Sequence, residues 1–192
     1  VSITIIATDS EGLIATNQIS ISIENVNDTP TSLPISDVST QQGSSFSLDV
    51  SGSFSDIDTP LGDVLTFSSD NLPSSLSINE DGVITGTPTN TDAVNSPITV
   101  TITATDADGE QTSSDLTITV ANVNDGPTSS AIPDANAQQD SGFSLDVSGS
   151  FADADTPLGD TLTFTSDDLP DSLSINEDGV ITGTPTNTDA VN

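Results

Sequence analysis

The sequence predicts an all-β chain of tandem Greek-key sandwich domains joined end to end. Short runs alternate apolar residues with Thr and Ser, turn signals separate the runs, and the whole pattern recurs after 97 positions. The alternation is clearest in Ser2-Ile3-Thr4-Ile5, Gln18-Ile19-Ser20-Ile21-Ser22-Ile23, Thr99-Val100-Thr101-Ile102 and Leu116-Thr117-Ile118-Thr119-Val120. A period of two turns one side of each run toward a core and the other toward water, which is the pattern of half-buried strands. No segment carries the 3.6-residue period of an amphipathic helix.

The repeat sets the domain organisation. Phe54 matches Phe151, Asp9 matches Asp106, and Asn25-Val26-Asn27-Asp28 matches Asn122-Val123-Asn124-Asp125. Aligning 30–95 with 127–192 gives 52 identities in 66 positions. A unit this long is a complete sandwich rather than a solenoid turn. The phase of the repeat divides the chain into three pieces. Residues 1–28 are the C-terminal strands of a preceding domain, 29–125 a complete domain, and 126–192 the N-terminal part of a following domain lacking its last two strands. This phase predicts a window on a longer tandem array. A following copy placed after Asn192 would fall two residues out of register, so a head-to-tail fibre of such windows is the second expectation.

Within the complete unit the expected strands are 35–38, 45–50, 64–68, 76–78, 83–86, 98–105 and 114–123. Asp81-Gly82, Asp108-Gly109, Thr59-Pro60-Leu61-Gly62 and Thr87-Pro88 supply the turns between them. Seven short strands in under a hundred residues fit a Greek-key sandwich. The expected core is Phe46, Leu48, Val50, Phe54, Leu65, Phe67, Leu72, Leu76, Ile78, Val83, Ile84, Val100, Ile102, Ala104, Leu116, Ile118 and Val120. That core is thin for its size. The phenylalanines are read as core, not as a sugar-stacking platform.

Composition removes whole classes of function. The 192 residues include 25 Asp and 5 Glu but no Lys, Arg or His, for a formal net charge of −30; Cys, Met, Trp and Tyr are absent too. Without cations the chain has no means of neutralising phosphates or binding anionic lipid, so no nucleic-acid partner and no membrane insertion are expected. Without Cys there is no thiolate site, and without His no Ser–His relay. No apolar run is long enough to cross a bilayer. No enzyme is expected: a glycoside-cleaving pair built on Asp56 with Asp58 or Asp106 would lack aromatic and basic groups to orient a sugar.

Thirty carboxylates with no basic partner repel one another when folding concentrates them. A divalent cation relieves this, and Ca²⁺ takes six to eight oxygens from Asp, Glu, Asn and backbone carbonyls. Three local groups offer such oxygens. One is Phe54-Ser55-Asp56-Ile57-Asp58, repeated as Phe151-Ala152-Asp153-Ala154-Asp155. Another is Ala104-Thr105-Asp106-Ala107-Asp108-Gly109. The last is Asn25-Val26-Asn27-Asp28 before Pro30, repeated before Pro127. Asp63 and Asp160, five residues after each Asp-x-Asp pair, are alternative ligands, but the favoured reading is solvated loop carboxylates. Asp70, Asp81, Asp115, Asp140, Asp146 and Asp171 are read as a solvated acidic face.

At these residues a family resemblance appears. The Asn-Val-Asn-Asp-x-Pro junction is similar to the cadherin linker motif D-x-N-D-N-x-P, and Ala-Thr-Asp-Ala-Asp-Gly resembles the cadherin A-x-D segment. Residues 78–88, Ile-Asn-Glu-Asp-Gly-Val-Ile-Thr-Gly-Thr-Pro, resemble the stretch that precedes the cadherin L-D-R-E motif. The span from Leu72-Pro73 through Pro88-Thr89 resembles the dystroglycan-type cadherin-like and Putative-Ig repeats of large bacterial surface adhesins. Together these motifs cover the whole chain.

The resemblance implies Ig-like/cadherin-like sandwiches with Ca²⁺ at each junction. At the first junction it carries over Asn25, Asn27, Asp28, Asp56, Asp58 and Asp106. At the second it carries over Asn122, Asn124, Asp125, Asp153 and Asp155; the counterpart of Asp106 there is position 203, outside this sequence. Asp9 would serve a junction before Val1. Asn25 stands where cadherins have the first linker Asp, and Gln41-Gln42 stand where they have an early Glu. The L-D-R-E motif is missing, with Asp92 and Asp189 as candidate substitutes. These departures imply fewer ions per junction than in cadherins, as few as one, and a weaker affinity.

The implied function is structural: a calcium-stiffened segment of a giant extracellular adhesin stalk or surface fibre. Neighbouring repeats of the same protein are its partners. One alternative is a self-assembling extracellular filament subunit, with strands of one copy completing another. The other is a polysaccharide or cell–cell recognition module, whose partners would be glycans or another cell surface.

Overall fold

The computed structural model describes residues 1–191, and nearly all of its regular structure is β. Strands β1 (Ser2–Thr8) and β2 (Ile14–Ser20) form an antiparallel hairpin. Its turn is fixed by Asp9, whose carboxylate accepts the backbone N–H groups of Glu11 and Leu13 at 2.9 and 2.8 Å.

The complete domain follows. It contains β3 (Thr31–Ser32), β4 (Val38–Gln41), β5 (Phe46–Asp49), β6 (Phe54–Ser55), β7 (Thr66–Ser69), β8 (Leu76–Ile78) and β9 (Val83–Gly86), then the short helix α1 (Asn90–Val94), β10 (Ile98–Thr105) and β11 (Gln111–Ala121). One sheet has the order β4-β11-β10-β7, with β4 and β11 parallel and the other pairs antiparallel. The other has the order β5-β9-β8, and β3 pairs with β6 beside them. The core between the sheets is built on Ile84, Val100, Ile102, Ala104 and Ile118, all fully buried, with Phe46, Val50, Phe54, Phe67, Leu76, Leu116 and Val120 around them. The Phe54 and Phe67 rings meet edge to face at 5.4 Å between centroids. This T-shaped arrangement is the one that ring quadrupoles favour.

Two glycines are demanded by packing. A Cβ on Gly86 would lie 2.1 Å from the Ser75 carbonyl oxygen, at a φ of +152°. A Cβ on Gly82 would press on the Phe67 ring at 3.1 Å. Both close approaches let β8, β9 and the Phe67 ring pack without a gap.

The expected elements differ from the observed ones most clearly in four places, one of them the short pair β3–β6, too short to show alternation in the sequence. The strand expected at 35–38 is Val38–Gln41 instead, because the parallel ladder with β11 runs over those residues; Ile35 is buried in the core. Strand β11 begins at Gln111 because the β10–β11 register closes directly over the Asp106–Gly109 turn, pairing Thr105 with Gln111. Helix α1 was not anticipated. It is one turn long, too short for a periodic pattern, and is held by a capping box in which Asp92 accepts from both the backbone N–H and the hydroxyl of Thr89 at 2.6 and 2.7 Å. Burial raises the Asp92 carboxyl, but donors from the Thr89 backbone and the Thr89 hydroxyl oppose it, and the group is held below its ordinary value.

The last segment repeats part of this architecture with β12 (Thr128–Ser129), β13 (Phe143–Asp146), β14 (Phe151–Ala152), β15 (Leu173–Ile175) and β16 (Val180–Gly183). The pairings β12–β14 and β13-β16-β15 copy β3–β6 and β5-β9-β8. Residues 135–138 and 163–166, which correspond to β4 and β7, form no strand. No helix among the described residues is long and apolar enough to cross a membrane. Asp70, Asp81, Asp115, Asp140, Asp146 and Asp171 are all exposed.

Candidate metal centre at the domain junctions

The first junction is assembled from a linker, a loop and a hairpin turn. Strand β6 carries Asp56 and Asp58 into the loop, and a single 3-10 turn over Thr59–Leu61, ended by Gly62 in the left-handed region, reverses the chain. The reversal brings Asp63 back beside Asp58, its N–H on the Asp58 carbonyl at 3.3 Å. Asp106 comes from the turn after β10. Its Oδ1 accepts the Glu110 N–H at 2.8 Å and so closes that turn.

The linker docks on this scaffold through donors from amides, a hydroxyl and the backbone. Asn25 Nδ2 donates to Asp58 Oδ1 at 2.9 Å, and the Asp28 N–H donates to Asp58 Oδ2 at 2.8 Å. Asn27 Nδ2 donates to Asp106 Oδ2 at 2.9 Å. The Thr29 hydroxyl donates to Glu110. Asp58 is buried with both oxygens taken by the linker, so it acts as a linker clamp. The Asn27 amide, first among several donors, holds the Asp106 carboxyl below its ordinary value against the opposing effect of burial.

Asp56, Asp63 and Asp106 each place an oxygen within 4.8 Å of the others. Asp56 Oδ1 accepts the Asp58 N–H at 2.7 Å, and Asp63 Oδ1 accepts the Ala107 N–H at 3.0 Å. Their other oxygens, Asp56 Oδ2 and Asp63 Oδ2, are buried with no hydrogen-bond partner. Buried carboxylate oxygens without a donor are costly unless a cation meets them. Asp63 is therefore not the solvated loop carboxylate the sequence suggested. The signal for it was the Thr-Pro-Leu-Gly turn, which folds position 63 back on the Asp56–Asp58 pair.

The second junction uses the same clamp with different donors. Asp155 is buried, and its Oδ2 accepts the Asp125 N–H at 2.5 Å, as Asp58 accepts Asp28. Its Oδ1 accepts Asn90 Nδ2 at 2.8 Å. Asn90, on α1 of the complete domain, fills the place that Asn25 holds at the first junction, and Asn122 stands exposed. Gln42 Nε2 reaches Asp125 Oδ2 at 2.8 Å, and Asn124 turns to the Asp125 carbonyl at 3.1 Å. Asp153, Asp155 and Asp160 form the carboxylate cluster here, again within 4.8 Å of one another. Asn90 and Gln42 are contributions of the preceding domain that the linker motif did not indicate. Asp92 and Asp189 are not at the junctions: both cap local turns, Asp189 through Thr186 and Ser172. Asp9 closes its own hairpin.

The donor set is entirely of hard oxygens, and the buried, donorless oxygens of Asp56 and Asp63 fit a hard divalent cation. Ca²⁺ suits it better than Zn²⁺, since neither imidazole nor thiolate is present.

The family model described as Putative Ig domain (He_PIG) matches residues 29–121 and again 126–192. Among solved structures, mouse protocadherin-24 EC1-3 is similar at 22% identity and a TM-score of 0.50, with 97% of this chain and 66% of that chain covered. PcdhgB3 EC1-4 is similar at 14% identity and a TM-score of 0.55, with 96% of this chain and 48% of that one covered. The chain thus spans less than two-thirds of either structure, and at these identities the likeness shows the fold alone. No curated protein matches the chain.

Proposed function

The chain belongs to the Putative Ig domain family, and on that footing we propose that it is a calcium-stiffened repeat segment of a large extracellular adhesin stalk or surface fibre. The observation that carries the reading is the Asp56–Asp63–Asp106 cluster, whose two buried, donorless oxygens lie where the linker enters the complete domain. A Ca²⁺ ion there would supply the positive charge that the chain lacks. Asp56, Asp63 and Asp106 would hold it, while Asp58 fixes the linker beside them and Asn27 ties the linker to Asp106. The two units would then lose their freedom to bend about the linker, because ligand binding to the ordered junction stabilises it over the open one. Asp153 and Asp160 would serve the second junction alike.

The job of such a segment is to extend. Its partners are neighbouring repeats of the same protein, its place is outside the cell, and it carries out no catalytic step. Small-angle scattering of the chain with and without Ca²⁺ tests this. The expected outcome is a longer maximum dimension with Ca²⁺ and no such change with Mg²⁺. An unchanged profile in saturating Ca²⁺ contradicts it.

A further inference from the structure

The second junction has contacts, separate from its carboxylate cluster, that tie the complete domain to the unit after it. Gln42 stands just past β4, where the parallel ladder with β11 ends in the pair Gln41 and Ala121. Its backbone N–H continues the ladder by donating to the Ala121 carbonyl at 3.0 Å. Its side chain carries the pattern further along the linker. Oε1 accepts the Val123 N–H at 3.4 Å, and Nε2 donates to Asp125 Oδ2 at 2.8 Å. One glutamine thus holds alternate linker residues, Ala121, Val123 and Asp125, against the complete domain.

Asn90 crosses the junction itself. It lies on α1 of the complete domain, and its Nδ2 donates to Asp155 Oδ1 of the following unit at 2.8 Å, over 65 positions of sequence. Asp155 is 1% exposed, and its other oxygen accepts the Asp125 N–H at 2.5 Å. The contacts close a circuit from Asn90 to Asp155, from Asp155 to Asp125, and from Asp125 to Gln42. Each link is an N–H donated to a carboxylate, the stronger class of hydrogen bond. Losing the Asn90 donor would leave a buried carboxylate oxygen unpaired, which costs more than an exposed bond is worth. The repeat carries the same two amides again as Asn187 and Gln139.

We propose that Asn90 and Gln42 form an interdomain latch that sets the angle between successive units. Units joined by a short linker move relative to one another unless a specific interface restrains them. Here Gln42 fixes the linker to the unit before it, and Asn90 fixes that unit to the one after. The latch selects one orientation, and a cation held by Asp153 and Asp160 would narrow the excursions about it. The latch does not rest on the Ca²⁺ reading, because every donor in it is a side-chain amide or a backbone N–H. It does require an amide at both places. A carboxylate at position 90 would face Asp155, and one at position 42 would face Asp125, each with like charge.

Pulsed electron–electron distance measurements test this on the full chain, with a chelator present. Spin labels go on Ser77→Cys in the complete domain and Ser174→Cys in the following unit, both exposed and on the corresponding strands β8 and β15. The parent chain is expected to give one peaked distribution. Asn90→Asp and Gln42→Glu keep the shape of each side chain but exchange its donor for a carboxylate, and each is expected to lose the peak to a broad distribution. A second label pair, Ser39→Cys with Ser77→Cys, lies wholly within the complete domain and reports its fold. That pair is expected to give the same distribution in all three chains. A parent distribution as broad as those of the variants overturns the proposal, as does a variant that keeps the parent's peak or a broadening shared equally by the pair within the domain. A chain whose scattering ignores Ca²⁺ would leave these outcomes unchanged, so the two readings fail separately.

Discussion

The side-chain amide of Asn27 donates to Asp106 Oδ2 at 2.9 Å, across 79 positions of sequence. One residue lies in the linker before the complete domain, and the other on the turn between its last two strands. In a chain with no cationic side chain, amides, hydroxyls and backbone N–H groups are the donors left for its carboxylates. Asn25 on Asp58, Asn90 on Asp155 and Gln42 on Asp125 follow the same rule.

Asn27→Ala is expected to raise the Asp106 carboxyl toward its ordinary value, since the Asn27 amide is the largest cause of its depression. Carboxyl chemical shifts followed through an acid titration read this directly. An Asp106 midpoint unmoved by the substitution would show that the turn donors alone set it.

Asp92 gives a pH-dependent stability with a definite sign. Its carboxyl is lowered in the folded state, so the charged group favours folding. That contribution is fully present above the unfolded value of about 3.9 and is lost as pH falls through the lower folded value. The stability gap between the parent chain and Asp92→Asn is therefore expected to be constant near neutrality and to narrow in acid. Denaturant melts across pH check it; a gap that widens in acid contradicts the sign.

Gly86→Ala is expected to destabilise the complete domain by at least the roughly 1–3 kcal/mol of a strained backbone position, since its Cβ would also meet the Ser75 carbonyl. Gly52→Ala is the control, because nothing lies within 4 Å of a Cβ there. Equal melting of the two variants would contradict the close approach of β8 and β9.

Phe67→Ala removes one partner of the edge-to-face pair from a closed core and is expected to cost about 3–5 kcal/mol. The Phe151–Phe164 pair keeps the same geometry at 5.3 Å, but both rings are partly exposed. Phe164→Ala is expected to cost less in dilute solution, and comparative denaturant melts of the two variants read the difference.

Much of the sandwich was legible because period-two alternation and a 97-residue repeat are strong signals. Sixteen of the seventeen expected core positions, all but Val83, lie in or against the core cluster with graded burial at the rim, from Ile84 and Ile102 inside to Leu72 and Ile78 at the edge. Ile35 and Ala93 were missed for local reasons. Ile35 sits between Pro34 and a polar run, with no alternation around it. Ala93 is buried by a one-turn helix whose only mark was the Thr89–Asp92 capping box.

The junction was half legible. The linker asparagines and the Asp-x-Asp pair were visible as motifs, and the structure brings Asn25, Asn27 and the Asp28 backbone onto Asp58 and Asp106. Asp63, Asn90 and Gln42 were not assigned, because each reaches its junction through a chain reversal or from a different part of the domain. Spacing along the sequence does not reveal a loop that folds back on itself.

The most direct test of the central claim is thermal unfolding of the chain against Ca²⁺ concentration, with Mg²⁺ as control, beside Asp56→Asn/Asp63→Asn. Metal at the junction predicts a midpoint that climbs with Ca²⁺, the stabilisation following the linkage relation, about 2.7 kcal/mol at a hundred times the dissociation constant. It also predicts that this rise is lost in the double variant, which removes the two buried, donorless carboxylates. A midpoint indifferent to millimolar-range Ca²⁺, or an equal rise in parent and variant, would contradict metal at the junction.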